Sequence, residues 1–162
     1  MPILPYLEHT PTLGDKVRVV EDAVVVGNVS IEGPALIESS AVLRGDQSWI
    51  AIAPRFRMGQ RATIHTEYGV PTQVGSGVWL GDEAVVHACT LGDGVRVEDG
   101  GLVLTGSSVG AGSIVAADSL VSEGTSFEAN SYISGTPGRR VRETTAAERA
   151  ETLARLAAAL SS

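Results

Sequence analysis

Residues 74–135 read VGSGVWLGDEAVVHACTLGDGVRVEDGGLVLTGSSVGAGSIVAADSLVSEGTSFEANSYISG, and an apolar residue returns in them every six positions. The series is Val74, Leu80, Val86, then Leu91, Val97, Val103, Val109, Val115, Val121, Phe127 and Ile133, with one short step of five between Val86 and Leu91. An amphipathic helix repeats at about 3.6 residues and a half-buried strand at about 2. A repeat of six marks a parallel β-helix, in which each unit is a short strand and a corner. Leu80-Gly81-Asp82 and Leu91-Gly92-Asp93 suit such corners, because glycine accepts the dihedrals and close approach that a corner demands. The rhythm runs upstream through Ile31, Ile37, Leu43 and then Ile52, Met58, Ile64. The fold class is an all-β solenoid of hexapeptide repeats.

Composition narrows the function. The chain has 162 residues, enough for one domain, and only 4% aromatics beside 19 glycines. A thin solenoid interior calls for such small side chains. The formal charge of −7 and the lack of a basic stripe argue against nucleic acid. No apolar run approaches a membrane span, and no signal-peptide pattern opens the chain. A single cysteine, Cys89, rules out an internal disulfide. Together these fit a cytoplasmic protein.

Two departures from the rhythm stand out, one around Gly45 to Trp49 and one from Thr66 to Gln73. In the second, Ile64 to Val74 takes ten residues, four more than one repeat. Such an insertion becomes a loop thrown out from one edge, here carrying Glu67 and Tyr68 beside His65. Gly135-Thr136-Pro137-Gly138 ends the solenoid. Thr145 and Glu148 then form a capping-box pattern, followed by Leu153, Leu156 and Leu160 at helical spacing. The expected organisation is a β-helix over residues 1–140 and a helical segment over 141–162. That segment would pack on the solenoid or on a neighbouring subunit.

His65 and His87 each follow an inward apolar residue and lie 22 residues apart. Without the four extra loop residues, 18 remain, which is three hexapeptides and one turn of a triangular coil. The two histidines therefore share one corner on successive coils, about 4.8 Å apart. Two imidazoles at that spacing can point at one metal. Asp82 belongs to a different corner. It completes a His-His-Asp set only if supplied by a neighbouring subunit, and otherwise it is one more Gly-Asp corner like Asp93.

Several stretches resemble the gamma-class carbonic anhydrase family. Val42-Leu43-Arg44-Gly45-Asp46 matches its VLRGD, and Ile64-His65 its IH before the inserted loop. Pro71-Thr72 with Val74-Gly75 matches PT-x-IG, and residues 84–93 (AVVHACTLGD) match AVLHGCTIGD. Residues 134–139 resemble the terminal GNPA element. The resemblance implies a left-handed parallel β-helix with a C-terminal α-helix and a homotrimer with active sites between subunits. It implies metal ligands at His65 and His87 from one subunit and at position 82 from the next. There the family carries histidine and this chain Asp82. It also implies that Arg44 and Asp46 help build the subunit interface, although an ordinary ion pair explains them equally. The family's TNIQDGSVIH becomes residues 56–65, FRMGQRATIH, so Arg57, Gly59 and Gln60 replace its asparagine, glutamine and aspartate.

Two imidazoles and a carboxylate suit a divalent cation, with Zn2+ foremost and Fe2+, Co2+ or Ni2+ as alternatives. Gln60, Glu67 and Tyr68 are candidates to manage protons or hold a substrate, or are simply solvated. The expected function is metal-assisted hydrolase or lyase chemistry on a small carbonyl substrate, diverged from CO2 hydration. The alternatives are a true carbonic anhydrase, a coenzyme A thioester hydrolase or acyltransferase, and a metal-free trimeric scaffold. In the coenzyme A case, Arg139, Arg140 and Arg142 would meet the phosphates, although a basic C-terminal turn explains these arginines as well.

Overall fold

A computed structural model describes residues 3–161; residues 1, 2 and 162, at the ends of the two expected segments, lie outside the described residues. The chain winds as a left-handed parallel β-helix whose inward column on one face is Val25, Leu43, Ile64, Val86, Val103 and Val121, each in register with the next. All six are fully buried. A second inward column runs Ile31, Ile52, Val74, Leu91, Val109 and Phe127. A third runs Ile37, Met58, Leu80, Val97, Val115 and Ile133. Each apolar residue thus meets its counterpart one coil away, and the core is a stack along the axis rather than a sphere.

The two irregularities are absorbed differently. Residues 45–49 form no loop: they lie inside one continuous strand, Val42–Ile52, which pairs along its length with Val24–Ile31. The register shifts between Gly27 and Val29, so the extra residues become a bulge. At the second site Glu67 and Val70 pair as an antiparallel bridge around Gly69, whose φ is +73°. That is a tight turn projecting from the corner after His65.

The last coil is closed by an antiparallel hairpin, Ser131–Gly135 with Gly138–Glu143. The helix Ala146–Leu160 follows, and the Thr145/Glu148 capping box forms with both reciprocal bonds present. It lies over the sheet made by Ala35–Ile37, Phe56–Met58 and Val78–Leu80. Leu156 is buried against it, but Leu153 stays 44% exposed and Thr152 takes an inner position. Ion pairs anchor the helix: Arg96 to Glu151 at 2.8 Å and Arg155 to Glu98 at 3.0 Å. No described helix is long and apolar enough to cross a membrane.

Candidate active site

The strands Thr63–His65 and Val85–His87 are adjacent and in register, with His87 directly opposite His65. Ile64 and Val86 point inward, so strand alternation turns the histidines outward. Their ring centroids are 5.0 Å apart with planes at 74°. Both rings are largely covered, at 14% and 25% exposed. His65 Nε2 meets Asp46 Oδ1 at 2.9 Å, and His87 Nε2 meets Glu67 Oε1 at 3.3 Å. Arg44 Nε lies 3.5 Å from Asp46 Oδ2, extending the set to Arg44, Asp46 and His65. Thr72, fully buried, donates its hydroxyl to the His65 carbonyl oxygen at 2.7 Å, and Thr66 Oγ1 accepts from the Ser48 N–H at 3.1 Å. These bonds tie the projecting turn and the bulged strand to the histidine corner.

Asp46 is the residue whose place beside His65 the spacing does not show. Leu43 pairs with Ile64, so plain register puts Arg44 level with His65. The bulge after Gly45 bends the strand and brings Asp46 across. Two signals bear on it: the break in the rhythm around Gly45 to Trp49, and the match of residues 42–46 to VLRGD, which points to Asp46 without pairing it with His65.

Gln60 and Asp82 stand together at another corner of the prism. The Gln60 backbone N–H donates to Asp82 Oδ1 at 2.9 Å, and Arg57 Nη2 approaches the same oxygen at 3.2 Å. Tyr68 stands at the tip of the turn, 82% exposed, and makes no hydrogen bond among the described residues. The structure therefore gathers His65, His87, Glu67 and Asp46, and leaves Asp82, Gln60 and Tyr68 apart from them within one chain. Arg140 and Arg142 are committed within the chain, Arg140 to Ser131 and Glu128, Arg142 bidentately to Glu148 and over the Tyr132 ring.

The donor set fits a divalent cation in kind: two imidazoles at one corner, with two carboxylates adding negative charge. One chain does not complete it. Among the described residues no group of three His, Cys, Asp or Glu side chains is placed to hold a metal ion.

Comparison with known proteins finds relatives over most of the chain. The chain is 38% identical over 136 residues to a Methanocaldococcus jannaschii protein named "Probable carbonic anhydrase", covering 84% of this chain and 86% of that one. It is 29% identical over 149 residues to mitochondrial gamma carbonic anhydrase 2 of Arabidopsis thaliana, covering 88% of this chain. It spans only 54–61% of the length of that protein and several other curated relatives. Among solved structures, a hexapeptide transferase family protein from Anaplasma phagocytophilum superposes with a TM-score of 0.93 at 27% identity, covering 99% of this chain and 95% of the other. No family model matches the chain.

Proposed function

Since this chain belongs to the gamma-class carbonic anhydrase family, as a divergent member, we propose that it is a homotrimeric, metal-dependent enzyme with its active sites between subunits. His65 and His87 of one subunit and Asp82 of the next hold a divalent cation, Zn2+ foremost and Fe2+, Co2+ or Ni2+ as alternatives. A cation in such a set supplies an acidified water and polarises a carbonyl. The substrate is a small carbonyl compound, and the chemistry is that of a lyase or hydrolase. The observation that carries this reading is the His65–His87 pair at one corner, with Nε2 of each ring faced by a carboxylate.

The chain's own residues divide the work. Glu67, half exposed and 3.3 Å from His87, accepts the proton that the substrate or the attacking water gives up and passes it to solvent. Asp46, itself held by Arg44, orients the His65 ring. Gln60, beside Asp82, and Tyr68, at the tip of the turn, would approach the substrate only across the subunit boundary. With Asp82 in place of a third neutral imidazole, the residues holding the cation would carry one more negative charge, which would suit hydrolysis or proton abstraction better than fast CO2 hydration.

The test is elemental analysis and sedimentation of the purified protein, with His65→Ala and Asp82→Ala beside it and CO2 hydration measured in parallel. We expect a trimer with about one metal per chain, lost in both variants, and weak CO2 hydration. Strong CO2 hydration refutes the divergence and makes the protein a carbonic anhydrase proper. No metal after reconstitution with Zn2+, Fe2+, Co2+ and Ni2+ ends the metalloenzyme reading.

A further inference from the structure

Arg57 lies on the strand Phe56–Met58, in register with Trp79 on the next coil. Its guanidinium carbon is 4.3 Å from the Trp79 ring centroid, and the side chain is 11% exposed. Nη1 donates to the Leu80 carbonyl at 3.1 Å, while Nη2 reaches Asp82 Oδ1 at 3.2 Å and Glu38 Oε2 at 3.4 Å. Nε is buried and has no hydrogen-bond partner. An orphaned donor is costly, and a guanidinium kept in place despite one calls for a reason.

The reason lies at Asp82. Three corner aspartates make the same bond to the preceding coil: Asp82 Oδ1 accepts from Gln60 N–H, Asp93 Oδ1 from Ser76 N–H, and Asp99 Oδ1 from Asp82 N–H, each at 2.9 Å. That bond suffices to build a corner, since neither Asp93 nor Asp99 meets an arginine among the described residues. Only Asp82 receives a second, charged donor, and both donors fall on the same oxygen. Oδ2 accepts no hydrogen bond among the described residues, and the side chain is 38% exposed. A stacked guanidinium cannot rotate away, so the carboxylate is locked by one oxygen with the other left open.

We propose that Arg57 is a positioning residue that pins Asp82 through Oδ1 and leaves Oδ2 as a single fixed donor for a divalent cation bound by His65 and His87 of a second copy. This rests on the His-His-Asp reading above. It explains why arginine stands here, where the resembling family pattern has asparagine: a short carboxylate replacing histidine needs a partner to hold it.

The experiment is calorimetric titration of Zn2+ into the wild-type protein, Arg57→Ala, Arg57→Gln and Arg61→Gln, each checked for folding by circular dichroism. Arg57→Gln keeps part of the stem on Trp79 and guards against a folding defect in Arg57→Ala. Both Arg57 variants should bind Zn2+ about tenfold or more weaker, as loss of a ligand's outer partner does. Methylguanidinium should restore part of the affinity in Arg57→Ala, and Arg61→Gln, which removes an exposed arginine paired with Glu83, should match wild type. Tight binding by wild type and equally tight binding by both Arg57 variants overturns the role of Arg57 and leaves the metal site standing. Weaker binding without methylguanidinium rescue, or an equal loss in Arg61→Gln, overturns it too, because the effect is then general packing or lost surface charge. Where wild type binds none of Zn2+, Fe2+, Co2+ and Ni2+, both readings are overturned.

Discussion

Replacing Gly59 by alanine tests how tightly the coils stack beneath Asp82. A Cβ at position 59 would lie 2.5 Å from the Gly81 carbonyl carbon, 2.6 Å from Asp82 N and 2.6 Å from Asp82 Oδ1. Ordinary contact begins near 3.4 Å, so the two coils must part by about 1 Å at this corner. Two of the three atoms are backbone, and no side-chain rotation relieves them. Three bonds cross the same gap: Gly59 N to Leu80 O at 2.9 Å, Glu83 N to Gln60 O at 2.8 Å, and Gln60 N to Asp82 Oδ1 at 2.9 Å. Parting by about 1 Å takes each beyond hydrogen-bond range. At roughly 0.5–1.5 kcal/mol per bond the loss is about 1.5–4.5 kcal/mol, in line with the roughly 1–3 kcal/mol of an overpacked core. For a chain of this size that lowers Tm by about 3–18 °C. Gly69→Ala is the control. Its φ is +73° but nothing lies within 4 Å of its Cβ, so only the dihedral costs, about 1 kcal/mol. Urea titration and thermal melts by circular dichroism measure both. If Gly59→Ala melts within about 2 °C of wild type, or no lower than Gly69→Ala, the coils are not packed as described.

Three other outcomes are expected. Cys89 is buried and its thiol is pushed up to about 12, so the native protein should resist thiol alkylation at pH 8 and react fully once denatured; fast native labelling contradicts the burial. Glu148 is held down to about 2, first by the Arg142 hydrogen bond and then by the Thr145 N–H, against an ordinary value of about 4.3. Its folded pKa is the lower one, so its contribution is present above about pH 4.3 and fades as the pH falls toward 2; Glu148→Gln should lose less stability than wild type across that window, and parallel pH–Tm curves refute this. Thr72→Val removes the hydroxyl bond to the His65 carbonyl and should cost about 1 kcal/mol while lowering Zn2+ uptake; unchanged stability means the bond does not fix the histidine corner.

The period of six, read from residue types alone, determines the coil, the inward columns and the pairing of His65 with His87. Register in a solenoid is arithmetic: each strand meets the strand one turn away, so a count of residues becomes a position in space. The capping box at Thr145 and Glu148 is equally local and equally legible, because both partners lie within one helical turn. What the count does not reach is whatever depends on how an irregularity bends. The extra residues after Gly45 read as a break in the rhythm, and only the tertiary structure makes them a bulge that turns Asp46 onto His65. Arg57 and Trp79 are in register by count, but the guanidinium's choice among Glu38, Asp82 and the ring depends on the helix laid over that face and the space it leaves. Backbone hydrogen bonds between successive coils repeat whatever the side chains are, so sequence period determines them. Side-chain partners across corners answer to charge, reach and packing at one place, and these exist only once the coils have stacked.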